Sequence, residues 1–121
     1  MNSKEFTEFP INLKITNEDM DGIVEKALDE GSLHWIYDFK PIYNQSKPAK
    51  NVISNGGRIL LYSMDGSVYE LSKDKVMLGL QQVIPYLTHS INGDHLDTSY
   101  IDSDTADLII QLALFNELVF D

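Results

Sequence analysis

The chain has 121 residues, 43% of them apolar and 23% charged, the length and composition of a single globular domain that buries a core without a metal or disulfide staple. It contains no cysteine, which excludes disulfides, thiolate catalysis and sulfur-ligated zinc. Its formal charge is −10, it shows no signal-peptide apolar region, and no stretch nears the roughly 18 apolar residues of a membrane span, so a cytoplasmic protein is expected.

Residues 1–8 read as a polar, frayed start and residues 9–121 as one domain. Residues 10–15 alternate polar and apolar with period two, a strand pattern. Thr16 followed three residues on by Asp19 resembles a capping box. Met20, Ile23, Val24, Ala27 and Leu28 then recur at helical spacing, giving an amphipathic helix whose other face carries Glu18, Asp21, Glu25 and Asp29. Gly31 is expected to close it as a left-handed terminal residue. Residues 33–39 are rich in aromatic and β-branched side chains and read as a strand that Pro41 ends or kinks. A loop is expected over 44–50 and a short helix over 49–55, before Gly56 and Gly57.

Residues 58–63 and 67–71 flank Met64-Asp65-Gly66, a strong antiparallel hairpin signal. Ser72 caps a second helix with Val76, Leu80, Val83, Ile84 and Leu87 as its apolar stripe, weakened by Gly79 and bent or ended by Pro85. Residues 91–94 form a turn cluster, and the run to Tyr100 is loop or short strand. Asp102 caps a last helix over 103–115, which has almost no polar face beyond Gln111 and is therefore expected to be central and buried. Residues 118–120 read as a short edge strand. The order strand, helix, strand, hairpin, helix, helix predicts an α+β domain, with an antiparallel three- to four-stranded sheet packed against two or three helices.

No catalytic, cofactor or metal motif stands out, so the chain is not expected to be an enzyme. His34, His89 and His95 lack the spacing of a metal site or triad. His34, beside Trp35, reads as a partly buried structural residue. His95 with Asp94 and Asp97 offers at best a weak divalent or acid/base site. Asp102, Asp104 and Asp107 lack the Gly and distal Glu of a calcium loop, and helix capping accounts for the first two. Asn55-Gly56-Gly57 is too short for a phosphate cradle, and no G-x-S-x-G context exposes a serine. Trp35, Tyr37, Tyr43 and Tyr62, without interleaved Arg or Lys, read as core and interface aromatics rather than a stacking platform for bases.

Charge distribution is the strongest functional signal. From residue 76 to 121 there is no Lys or Arg, against seven carboxylates: Asp94, Asp97, Asp102, Asp104, Asp107, Glu117 and Asp121. Up to residue 75, nine basic side chains face twelve acidic ones. Such a field repels phosphate backbones and complements a basic protein surface. Solubility alone is the bland account, but clustering carboxylates costs self-repulsion that scattering would avoid. The expected contacts are Asp94, Asp97, Asp102, Asp104 and Asp107, followed by Glu18, Asp21, Glu25 and Asp29.

Four stretches carry a resemblance: Ile15-Thr16-Asn17-Glu18-Asp19; Ala27-Leu28-Asp29-Glu30-Gly31 with Trp35 shortly after; Ile53-Ser54-Asn55-Gly56-Gly57-Arg58; and Ala106-Asp107-Leu108-Ile109-Ile110-Gln111-Leu112-Ala113-Leu114-Phe115. Together they resemble a set of small acidic proteins from phages and integrated elements of Firmicutes, over most of the chain and through packing and capping residues. The resemblance implies a fold family rather than a chemistry. Small acidic phage proteins include anti-CRISPR inhibitors and other DNA mimics, so by analogy it implies an inhibitor acting in the host bacterial cell on a basic partner, foremost a CRISPR effector nuclease. The alternative is a homo-oligomeric accessory phage protein, a homodimer for instance, with Trp35 and Tyr37 in the interface.

Overall fold

The computed structural model describes residues 13–43 and 51–121. The expected frayed start, most of the strand at 10–15 and the loop at 44–50 lie outside them. What is described of that strand makes one bridge, parallel, between Lys14 and His95.

Helix α1 (Asn17–Lys26) begins with the expected capping box: Thr16 Oγ1 accepts from the Asp19 N–H at 3.0 Å and the Asp19 carboxylate accepts from the Thr16 N–H at 3.1 Å. It buries Met20, Ile23 and Val24 and runs on through one π-helical turn, Ala27–Gly31. Gly31 does not close the helix in a left-handed conformation, contrary to expectation. It is a packing glycine, because a Cβ there would lie 1.9 Å from the Ser103 carbonyl oxygen.

The sheet consists of β1 (Ile36–Ile42), β2 (Arg58–Ser63) and β3 (Val68–Ser72), antiparallel and in that spatial order. The β2–β3 hairpin turns at Gly66, whose φ of +90° only glycine adopts cheaply. Strand β1 starts later than expected and, of the two alternatives for Pro41, does not end there but runs through it to Ile42. A proline is tolerated on an edge strand when its nitrogen faces away from the neighbouring strand. Of the helix expected over 49–55, residues 49 and 50 lie outside the described residues, and 51–56 form a bend and turns instead, with Asn51 and Gly56 at positive φ.

Helix α2 (Lys73–Val83) follows β3, with Ser72 as its N-cap, and Pro85 sits in a single 3-10 turn, Ile84–Tyr86. A small hairpin, β4 (Ile91–Asn92) with β5 (His95–Leu96), turns at Gly93. Helix α3 (Ser103–Phe115) is capped by Asp102, whose Oδ1 accepts from the Thr105 N–H at 2.8 Å, and ends at the left-handed Asn116. Gly79 lets α2 and α3 meet: a Cβ there would lie 2.3 Å from the Ile109 carbonyl oxygen. The residue that weakens α2 in isolation is thus the one that permits the helix pair.

The fold is α+β, as expected, with the antiparallel sheet packed on the helices. Trp35, Leu61, Leu71, Val76, Leu80, Ile109 and Ile110 lie in one core. Helix α3 is buried as expected, through Ala106, Ile109 and Ile110, and Gln111 itself is fully buried. One expectation about the C-terminal region fails. Residues 118–120 form no strand; Gln111 holds them instead, through the Val119 and Phe120 N–H groups.

Candidate interaction surface

The segment 94–104 runs alongside α1 over the helix's whole length. At the start, Lys14 N–H donates to the Asp94 carbonyl at 2.6 Å and the Lys14 ammonium pairs with the Asp94 carboxylate at 3.1 Å. In the middle, Gly22, Ile23 and Lys26 border Thr98 and Ile101, and the Lys26 ammonium donates to the Ile101 carbonyl. At the end, Gly31 lies against Ser103. This path brings the first expected group of carboxylates alongside α1, whereas Asp21, Glu25 and Asp29 of the second group line the other flank of the helix, with Val24 and Leu28. Glu18, Glu25 and Asp29 stand exposed on the helix; Asp94, Asp97, Asp102 and Asp104 stand exposed on the segment beside it. Glu30, which had no distinguishing signal in the sequence, is exposed next to the Gly31 contact.

Two of these carboxylates are tuned by the chain's own donors. The Asp97 carboxyl is held below the usual carboxylate range, chiefly by the Ser99 hydroxyl at 2.6 Å and also by the Ser99 N–H. Asp102 is lowered chiefly by the Thr105 N–H, with the Lys26 ammonium contributing. Both remain charged well below neutral pH. Among the described residues, Lys or Arg pairs with a carboxylate in two places only, Lys14 with Asp94 and Arg58 with Glu70. Among the described residues, Asp97 and Asp104 therefore make no ion pair with a Lys or Arg, while Lys14 pairs with Asp94 and Lys26 acts on Asp102.

Asp107 does not belong to this surface. It is 6% exposed, and its carboxyl accepts from Ser32 Oγ at 2.7 Å, Trp35 Nε1 at 2.8 Å and Gln111 Nε2 at 2.9 Å. A group this deep is satisfied internally and unavailable to a partner. Asp21 is half-buried and spent in part on the turn after residue 50, accepting from the Ser54 N–H at 3.1 Å and from the Ser54 hydroxyl.

The histidines and aromatics are also relocated. His34 lies in the turn before β1 with its side chain 40% exposed, Nδ1 3.1 Å from the Gly31 carbonyl and Nε2 3.6 Å from Asp107. His95 Nε2 is 3.2 Å from Asp94, whereas Asp97 turns to Ser99. Among the described residues, no three His, Asp or Glu side chains gather to hold a metal ion. Trp35 is 1% exposed and stacks on Phe120 at 4.7 Å, so it is a core residue and leaves the expected interface. Tyr37 is 65% exposed and touches Tyr62.

No helix among the described residues is long and apolar enough to cross a membrane. No family model, curated protein or solved structure matches the chain.

Proposed function

We propose that the chain is a non-catalytic, phage-derived inhibitor that docks its acidic seam on the basic nucleic-acid-binding surface of a host defence nuclease, foremost a CRISPR effector. The supporting observation is the run of exposed carboxylates Asp94, Asp97, Asp102 and Asp104 alongside α1, of which, among the described residues, only Asp94 makes an ion pair with a Lys or Arg. A channel that holds duplex through Arg and Lys presents the complementary charge and geometry. Desolvated contacts between the two would exclude the nucleic acid by competition.

The test is capture of the nuclease and inhibition of its cleavage at low and high salt. Binding should weaken steeply with salt. Reversing Asp94, Asp97 and Asp104 to Lys should abolish capture while circular dichroism stays native. Undiminished capture by that folded triple variant defeats the proposal.

The second reading, a homo-oligomeric accessory protein, rests on the exposed Tyr37 near the start of β1 and Tyr43 just beyond its end. Light scattering on a gel-filtration column separates the two: a stable dimer indifferent to salt favours this alternative.

A further inference from the structure

On the flank of α1 away from the 94–104 segment lies an open groove of about 340 Å³. Its floor is apolar, formed by Val24 and Leu28 of the helix with Ile53 and Ile59. Its rim is acidic: Asp21, Glu25 and Asp29 follow one another at intervals of four residues. At 1.5 Å of rise per residue, that rim extends roughly 12 Å, about two turns of helix.

Phe39 explains why the groove is open. In the register of the sheet it stands opposite Leu61, which is completely buried beneath the helices. Phe39 therefore points to the same inner face, yet it is 42% exposed, because β1 is the edge strand and α1 does not reach across it. Among the described residues, the inner face of the sheet is left uncovered between α1 and its own edge, and no Lys or Arg lines the groove.

We infer that this groove binds a cationic amphipathic helix of a partner protein, with apolar side chains at i, i+3 or i+4 and i+7 seated on the floor against Phe39. Its Lys or Arg residues pair with Asp21, Glu25 and Asp29. The geometry is that of helix-in-groove recognition, in which the apolar anchors supply affinity. The row of carboxylates selects the cationic partner and sets its orientation along α1. This inference does not rest on the nuclease reading. It concerns the opposite flank of the helix and needs no basic channel.

The probe is a synthetic 14-residue amphipathic peptide with Leu anchors and Lys flanks, titrated into the full chain by fluorescence anisotropy. Two controls accompany it: a scrambled peptide of the same composition, and an amphipathic peptide with Gln in place of Lys. The amphipathic Lys peptide should bind one to one, at least tenfold tighter than either control. The Glu25→Gln/Asp29→Asn variant should weaken it about tenfold at low salt, and Phe39→Ser should weaken it by a similar factor in high salt as well. Equal binding of the scrambled peptide, or no effect of these variants, overturns the inference.

Other occupants have their own signatures. If Lys47→Gln/Lys50→Gln tightens peptide binding tenfold, the chain's own segment between Tyr43 and Asn51 is the occupant and the inference fails. If the chain sediments as a dimer that dissociates in the Glu25→Gln/Asp29→Asn variant, a second copy is the occupant and it likewise fails. No nuclease enters the titration, so its outcome and that of the nuclease test can fail separately.

Discussion

Gln111 and Phe120 are bonded in both directions: Gln111 Nε2 donates to the Phe120 carbonyl at 2.8 Å, and Gln111 Oε1 accepts from the Phe120 N–H at 2.7 Å. The same amide accepts from the Val119 N–H at 2.9 Å and donates to Asp107 at 2.9 Å. One buried side chain thus joins the end of the chain to α3 and to the carboxyl that holds Trp35. Phe120 in turn lies parallel on the Trp35 indole, with an interplanar angle of 3°.

Gln111→Leu keeps the volume and removes these bonds. Each of the four net bonds is worth about 1 kcal/mol, with a further cost where a buried group is left unpaired, so a loss of roughly 4 kcal/mol is expected. The urea midpoint should fall with an unchanged slope. Trp35 emission should shift to the red as Phe120 lifts away. A chain ending at Asn116 should show the same emission shift, and an unmoved midpoint in both would mean that the tail contributes nothing.

Two glycines of the first helical segment should respond in opposite directions to alanine. Gly31→Ala places a methyl against the Ser103 backbone, where a Cβ would stand 1.9 Å from the oxygen. The segments must separate, and the cost should reach or exceed the ~3 kcal/mol upper range of overpacking. Gly22, in the interior of α1, has nothing within 4 Å of its missing Cβ. Gly22→Ala should therefore stabilise by about 0.5–1 kcal/mol through helix propensity and a less flexible unfolded chain. Thermal unfolding of the pair checks both signs.

These glycines show where the sequence was legible and where it was not. Local rules located the capping box at Thr16 and Asp19, the Asp65-Gly66 hairpin and the Asp102 cap, because each is decided by neighbours within four residues. The packing roles of Gly31 and Gly79 were not legible, because the reason for each lies in a segment far along the chain, Ser103 for one and Ile109 for the other. Asp107 is the same kind of case. By composition it belongs with the other carboxylates of the C-terminal region, but at α3's contact with the Gly31 turn it meets Ser32 and Trp35. The acidic seam was legible as charge but not as a place, since the parallel run of 94–104 along α1 is a tertiary fact. The groove beside Phe39 had no sequence signal, because its far wall comes from residues 51–53.

Asp102 sets a definite direction for acid sensitivity. Its carboxyl is lowered from the ordinary value of 3.8, chiefly by the Thr105 N–H at the helix start. A carboxylate lowered in the folded state contributes stability that is present above its unfolded value and is lost as pH falls through the lower folded value. Stability should therefore decline as pH drops below about 3.8, with Asp97 and Asp65 acting in the same direction. Asp102→Ala should cost about 1 kcal/mol at neutral pH, the usual loss of an N-cap. Asp102→Asn retains the cap and removes the titration, so its denaturation midpoint should fall less between pH 5 and 3 than the parent's. An unchanged acid profile in Asp102→Asn would assign the loss to other carboxylates.

The outer edge of β1 is closed to further strands by two adjacent devices. The Phe39 N–H donates to the Asp38 carboxylate at 2.8 Å, and two residues on, Pro41 has no N–H at all. Donors on one edge of a strand recur every second residue, so both outward positions are withdrawn from pairing. With Tyr37 and Phe39 exposed beside it, an edge that offered these donors would be a template for a second copy. The double variant Asp38→Ala/Pro41→Val restores both donors and should self-associate at micromolar concentration through β1, seen as a rise in mass by light scattering and increased amide protection in β1. Asp38→Ala alone, with Pro41 still blocking the next position, should remain closer to the parent. A double variant with the parent's mass would show that the exposed aromatics, not the backbone donors, control association at this edge.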